Sequence, residues 1–85
     1  NNSICIKSYS DYQFVDLQEV IYLKADNNST DFKLKNGKTI TAFKTLKYFE
    51  NNLPFNFLRI HKSYIVNITT KPYLFRLLTE ETLII

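Results

Sequence analysis

The sequence predicts a mostly β domain with one short helix. The clearest observation is the stretch FKLKNGKTITA, in which Phe32 and Leu34 alternate with lysines before the pair Asn36-Gly37. An Asn-Gly pair tolerates positive φ at both central positions of a type I′ turn, so this stretch is expected to form a β-hairpin. The β-branched and aromatic run VIYLKA, residues 20–25, is typical of a buried strand.

One segment alone has the spacing of a helix. Leu46 and Phe49 lie three residues apart, as on one helix face, and Thr45 can cap the first free amides. Pro54 stops the pattern, because proline cannot continue a helix. We therefore expect one helix near residues 45–52.

The other segments predict strands and turns. ICIK and YQFVDL are short β-prone stretches near the start of the chain, and the turn cluster DNNS follows VIYLKA. FNFLRIHKSYIVN has no helical period, and we interpret it as a loop at residues 61–63 followed by a strand over residues 64–67. TTKP is expected to be a turn, and YLFRLL and TLII, separated by TEE, are expected to form a closing hairpin.

Length and composition indicate one domain over residues 1–85. The chain contains no Met, so we expect it to be a fragment of a longer protein. No apolar run approaches the roughly 18 residues that span a bilayer, so no membrane partner is expected. Cys5 is the only cysteine and is expected to be a buried reduced thiol, which fits a cytoplasmic protein.

The residue inventory argues against an enzyme. With one His, one Cys and one Gly, the chain has no marked nucleophile and base, no metal-ligand cluster and no glycine-rich phosphate loop. We expect no catalytic residues, no metal and no cofactor.

The net charge of +3 conceals an asymmetry along the chain. Residues 1–31 carry two lysines against five acids, a net −3, whereas residues 32–79 carry nine Lys and Arg against Glu50 alone, a net +8. A basic middle fits a surface that binds a polyanion, and it fits equally a solvated surface that keeps the domain soluble.

Two loops carry side chains suited to duplex DNA. DNNST, residues 26–30, is rich in amide groups that match adenine edges in the major groove. HKS, residues 61–63, follows Arg59, and Lys62 suits a guanine or a phosphate. Simpler interpretations stay open: DNNST as an ordinary polar turn, and His61 as a buried histidine satisfied by backbone groups. Lys62 is expected to point outward, because an unpaired cation in a core is costly.

The run RIHKSYIVN, residues 59–67, together with Phe57, resembles the signature F-x-R-x-H-[RK]-S-[YF]-[IV]-V-N of the LytTR family of bacterial DNA-binding domains. VDLQEVIYLKAD resembles the family's early strand, and LKNGKTITAFKTLKYFENNLP resembles its hairpin and helix. The resemblance extends over roughly residues 4–70. Within the run, Asn67 is expected to bond backbone groups at the end of its strand.

The resemblance implies an elongated, multi-sheet β fold rather than a helix-turn-helix. It implies sequence-specific binding of double-stranded DNA by a transcriptional regulator, often the output domain of a two-component response regulator. A receiver domain would then lie upstream of residue 1, and a dimer on repeated sites is a further hypothesis.

The resemblance also implies DNA contacts from two loops, with these residues carried over by position: Asn27, Asn28, Ser29, Thr30, Arg59, His61, Lys62 and Ser63. A third, basic contact segment near the end of the family's domain has no match here, because the sequence diverges after residue 70. We expect the family's final segment to follow Ile85.

An alternative is a β-rich protein-interaction or dimerisation module that does not bind DNA. The two hypotheses differ in what they require of the fold. The DNA-binding hypothesis is distinguished by the meeting of DNNST, Lys62 and the basic hairpin on one face, and it is weakened if Lys62 and Asn28 lie on opposite sides.

Overall fold

Two sheets and two α-helices make up the described part of the chain. The computed structural model describes the backbone of residues 3–9 and 11–80 and the side chains up to residue 76. The strands, numbered in chain order, are β1 Ser3–Ser8, β2 Asp11–Asp16, β3 Val20–Asp26, β4 Ser29–Leu34, β5 Thr39–Ala42, β6 Phe57–His61 and β7 Tyr64–Asn67. The helices are α1 Leu46–Glu50 and α2 Lys71–Glu80, and short 3-10 turns occupy Leu17–Glu19 and Ile68–Thr70.

The sheet topology confirms the mostly β, multi-sheet prediction. β1 and β2 form an antiparallel hairpin, and the other five strands form one sheet in the order β5-β4-β3-β7-β6. Every pairing in this larger sheet is antiparallel. The described part of the molecule measures 33 × 28 × 23 Å along its principal axes.

The hairpin of β4 and β5 forms where the Asn-Gly pair predicts it, but the turn type differs. Gly37 has φ +89°, whereas Asn36 does not have positive φ, so the predicted type I′ turn is wrong. The Leu34 N–H donates to the Lys38 carbonyl (2.9 Å), and the Gly37 N–H donates to the Leu34 carbonyl (3.0 Å). These bonds define a three-residue loop with glycine in the left-handed position.

Helix α1 lies inside the predicted range. The Thr45 hydroxyl accepts a hydrogen bond from the Tyr48 N–H at 3.3 Å, which is the expected N-cap. Leu46 and Phe49 are buried, and the Phe49 ring meets the Phe32 ring edge-on with centroids 5.0 Å apart. The helical face inferred from sequence therefore packs on the sheet.

The five-stranded sheet buries apolar side chains on both faces. The first face packs against α1 and the β1–β2 hairpin, and its buried members are Ile6, Val15, Leu17, Val20, Leu23, Phe32, Ala42, Leu46, Phe49, Phe57 and Ile65. The second face holds a smaller cluster with α2, made of Ile21, Tyr22, Val66 and Leu74. Burial on both faces explains why β3 reads as an unbroken apolar run.

The predicted closing hairpin is wrong, because YLFRLL lies within α2. TTKP, expected to be a turn, ends the second 3-10 turn and begins this helix, so the described residues form two helices rather than one. β7 is paired with β3 on one side and β6 on the other, which leaves it no open edge for a following strand. Leu and Arg are good helix formers, and Pro72 is tolerated in a first turn. The predicted strand TLII lies outside the described residues.

Cys5 is exposed, so the expected buried thiol is wrong. Its neighbour Ile6 takes the inward position in β1, and alternation along the strand turns Cys5 outward. Within the described residues, no group of three or more His, Cys, Asp or Glu side chains is arranged to hold a metal. No described helix combines the length and apolarity needed to cross a membrane.

Candidate nucleic-acid interface

The two predicted contact loops lie side by side at one end of the larger sheet. β3 pairs antiparallel with both β4 and β7, so the exit of β3 and the entry of β7 are at the same end. Beyond the Lys24–Tyr64 pair, the Ala25 N–H donates to the Ser63 carbonyl at 2.8 Å. We call this region, residues 27–29 and 61–63, the loop end.

The β3–β4 turn is a tight turn with two exposed asparagines. Asn27 has φ +56°, a left-handed conformation that asparagine adopts more readily than most residues. The Ser29 hydroxyl donates to the Asp26 carbonyl at 2.8 Å, which closes the turn. Asn27 and Asn28 are exposed and Ser29 is half-buried, so the amide groups are available to a partner.

Thr30 differs from the other three residues predicted in this loop, because it is fully buried. Its hydroxyl donates to the Lys44 carbonyl at 2.8 Å. This side chain therefore cannot reach DNA in this conformation, and its role is to hold Lys44 beside the loop.

The β6–β7 turn presents Lys62 outward, as expected. His61 is also exposed, so its interpretation as a buried histidine is wrong. Its Nδ1 accepts a hydrogen bond from the Ser63 N–H at 3.1 Å, and its ring lies 5.9 Å from the Tyr64 ring, centroid to centroid. The imidazole shapes the turn while its other edge faces solvent.

The Arg59 side chain fixes the backbone of this turn through hydrogen bonds. Its Nε donates to the His61 carbonyl (2.9 Å), and its Nη2 donates to the Lys62 carbonyl (2.6 Å). Its Nη1 donates to Glu50 Oε1 at 2.8 Å, in an ion pair with side chains 27% and 42% exposed respectively. The planar guanidinium thus fixes two turn carbonyls at once, and Glu50 neutralises its charge. This geometry makes Arg59 a positioning residue rather than a base contact.

Asn67 has the structural role expected of it. Its side chain is completely buried, and its Nδ2 donates to the Val20 carbonyl at 2.8 Å and to the Leu17 carbonyl at 3.4 Å. Its Oδ1 accepts from the Thr69 N–H at 3.0 Å and from Asn56 Nδ2 at 2.8 Å. The end of β7 is therefore fixed to the start of β3, at the end of the sheet away from the loops.

The basic hairpin does not join the loop end. The β4–β5 turn around Gly37 lies at the opposite end of β4, and Lys38 lies there as well. Six residues of β4 separate the two ends by roughly 20 Å. The turns that carry Asn28 and Lys62 thus lie at the same end of the sheet, whereas the hairpin turn is remote from them.

Lys44 is a cation beside the loop end that sequence reasoning missed. It follows β5, and the Thr30–Ala42 pair places that exit beside the β3–β4 turn. Two sequence features could have located it. Lys44 directly precedes the helix cap Thr45, and it follows the second strand of the hairpin whose register the Asn-Gly pair sets. Lys24 also lies close, with its Nζ 5.9 Å from the centroid of the Tyr64 ring.

Comparisons with known proteins identify similar DNA-binding domains. The sequence model of the LytTr DNA-binding domain matches residues 10–70, a range that includes both loops. Among solved structures, the chain is similar to the LytTr DNA-binding domain assigned to a methyl-accepting/DNA response regulator from Bacillus cereus, with 30% sequence identity and a TM-score of 0.67. The match covers 81% of this chain and 63% of that chain, so the present chain spans less than two thirds of that structure. No curated protein matches the chain.

Proposed function

Because the chain belongs to the family of LytTr DNA-binding domains, we propose that it reads duplex DNA sequence-specifically as part of a transcriptional regulator. The observation that carries this proposal is the arrangement of the loop end. Two turns with exposed amide and ammonium groups lie side by side, and the Ala25–Ser63 hydrogen bond ties the strand that enters the first turn to the second turn. Residues 27–29 and 61–63 carry no acidic side chain, and the exposed Asp26 directly precedes the first turn.

The spacing of the turns fits the major groove. The two turns are centred between β3 and β4 and between β7 and β6, which are two strand spacings apart in the sheet. Two spacings are about 10 Å, and the major groove of B-DNA is about 12 Å wide. The separation of the two turn centres is therefore close to the width of one groove.

The exposed groups suit direct readout. An asparagine amide pairs with N6 and N7 of adenine, and a lysine ammonium reaches O6 and N7 of guanine or a phosphate oxygen. Asn28 and Lys62 are the residues proposed to meet base edges, with Asn27, Ser29, His61 and Ser63 as neighbouring contacts. The turns are fixed by internal hydrogen bonds, so they lose little freedom when DNA binds.

We further propose that the domain is the output part of a two-component response regulator in the bacterial cytoplasm. The similar Bacillus cereus domain is assigned to a response regulator, which supports this setting. An upstream receiver domain and a dimer on repeated sites belong to the same proposal.

A β-rich protein-interaction module is the second candidate, and exposed aromatic side chains favour it. Phe55 is 92% exposed, Phe14 81% and Phe75 75%. Such a module predicts stable association with a protein and no salt-dependent affinity for DNA.

Selection of bound sites from a random duplex pool tests the proposal. Wild type, Lys62→Ala and Lys38→Ala are compared, and Lys38 serves as a matched control because it is an exposed lysine at the opposite end of the sheet. Wild type and Lys38→Ala are expected to enrich the same motif, whereas Lys62→Ala relaxes it at one or two positions. Binding that enriches no motif contradicts sequence-specific readout. No binding at low salt contradicts DNA binding altogether and favours the interaction module.

A further inference from the structure

A groove of about 480 Å³ lies beside the loop end, between the β1–β2 hairpin, the exit of β5 and helix α1. Neither described loop of the proposed interface contributes to it. Its lining residues include two lysines and four aromatic residues, and none is acidic: Cys5, Ile6, Lys7, Tyr12, Ala42, Phe43, Lys44, Tyr48 and Phe49. The groove is therefore positively charged and lined by aromatic rings.

Both lysines are positioned against aromatic rings. Lys44 Nζ lies 5.1 Å from the centroid of the Tyr48 ring, and Lys7 Nζ lies 5.8 Å from that of the Tyr12 ring. The negative face of each ring attracts the ammonium group and restricts where it sits. Both lysines are nevertheless exposed, so the charges remain available to an external anion.

The groove is continuous with the loop end. The Thr30 hydroxyl donates to the Lys44 carbonyl at 2.8 Å, which couples the exit of β5 to the β3–β4 turn. Tyr9, which follows β1, contacts Phe43, which follows β5, and their ring centroids are 5.4 Å apart. The β1–β2 hairpin thus reaches the same end of the molecule as the two turns.

The distance across the sheet decides which part of DNA this groove can meet. From β5 to the β6–β7 turn there are three to four strand spacings, or about 17 Å, which exceeds the major-groove width of about 12 Å. When the two turns occupy the DNA major groove, the exit of β5 therefore lies outside that major groove, over the adjoining sugar-phosphate backbone.

We propose, on the basis of the proposed function above, that Lys7 and Lys44 form a phosphate clamp flanking the groove that the two turns read. The clamp holds the domain on the duplex but does not read bases, because contacts to DNA phosphates carry no direct sequence information. The tyrosine rings hold the lysines in place rather than stacking on bases, because the bases of a duplex are already stacked and paired.

The salt dependence of affinity for the selected duplex tests this clamp. Each lost phosphate contact is expected to reduce the slope of log affinity against log salt by about 0.9. Lys7→Ala and Lys44→Ala should each show this reduction, and the double variant about twice as much, with the selected motif unchanged. Lys44→Arg, which preserves the charge, and Lys38→Ala, at the opposite end of the sheet, should both retain the wild-type slope.

The outcomes separate the clamp from DNA binding itself. If Lys7→Ala and Lys44→Ala keep the wild-type slope, the clamp is refuted while sequence-specific binding stands. If either substitution changes the selected motif, the residue reads a base and the clamp is equally refuted. If wild type binds no duplex, the proposed function fails first, and the clamp fails with it.

Discussion

Ala25 and Ser63 are joined by a single hydrogen bond, in which the Ala25 N–H donates to the Ser63 carbonyl at 2.8 Å. This bond extends the β3–β7 ladder past its last strand pair, Lys24–Tyr64, into the β6–β7 turn. The two turns of the loop end are therefore parts of one rigid unit. Changes that loosen one turn should disturb the binding of the other.

The two asparagines of the first turn should respond differently to substitution. Asn28→Ala removes an exposed amide and is expected to weaken discrimination at one base pair by about 1–3 kcal/mol. Asn27→Gly should preserve the turn, because glycine adopts the positive φ of 56° without strain. Site selection with each variant measures this difference. If Asn28→Ala selects the wild-type motif unchanged, Asn28 is not a base contact.

Arg59→Lys should weaken binding without changing its salt dependence. Lysine keeps the charge but cannot hold the His61 and Lys62 carbonyls with one planar group, so the turn loosens and the complex dissociates roughly tenfold faster. Glu50→Gln should have a small effect, since a partly exposed ion pair contributes only about 0–1 kcal/mol. Surface-plasmon dissociation rates at several salt concentrations measure both. A salt slope reduced by about one in Arg59→Gln, which removes the charge, would instead indicate a direct phosphate contact.

Asn67→Ala should destabilise the domain by about 2–4 kcal/mol, because buried partners lose their hydrogen bonds. Asn56→Ala removes one of these bonds and is expected to cost about 1 kcal/mol. Urea unfolding measures both free energies. Equal losses for the two variants would contradict the central role assigned to Asn67.

Gly37→Ala should destabilise the hairpin by about 1 kcal/mol, since an L-residue resists the left-handed conformation at φ +89°. An added Cβ meets no atom within 4 Å, so the cost is conformational rather than steric crowding. Gly37→Asn should cost less, because asparagine tolerates positive φ. Thermal unfolding checks this order, and both variants should bind DNA as wild type does. A loss of DNA binding in either folded variant would bring the hairpin turn into the interface.

Local patterns predicted much of the fold. Asn36-Gly37 located the hairpin, the pair Leu46 and Phe49 located α1, and the run over residues 20–25 located the central strand. Each of these signals depends on neighbours in sequence. The second helix was missed because its aromatic and leucine residues resemble a strand, and the pairing of β7 on both sides, which leaves it no open edge, depends on residues distant in sequence.

The sequence indicated which residues belong to the candidate site, but it did not indicate how their side chains are arranged. The turns were found from their amide and basic side chains, and Lys62 is exposed as expected. The burial of Thr30 and the bracing role of Arg59 depend on Lys44 and Glu50, which are distant in sequence. The same is true of the groove beside Lys44, because residues 5–12 and residues 42–49, which line it, are at least 30 residues apart in the sequence.

The most direct test of the account is to map backbone amide chemical shifts of the chain as the selected duplex is added. The central claim is that the loop end faces DNA. The largest changes are expected at residues 27–29 and 61–63, with smaller changes near residue 44 and none at residues 36–38. Changes concentrated at residues 36–38 or along α2, with the loop end unaffected, would contradict the account.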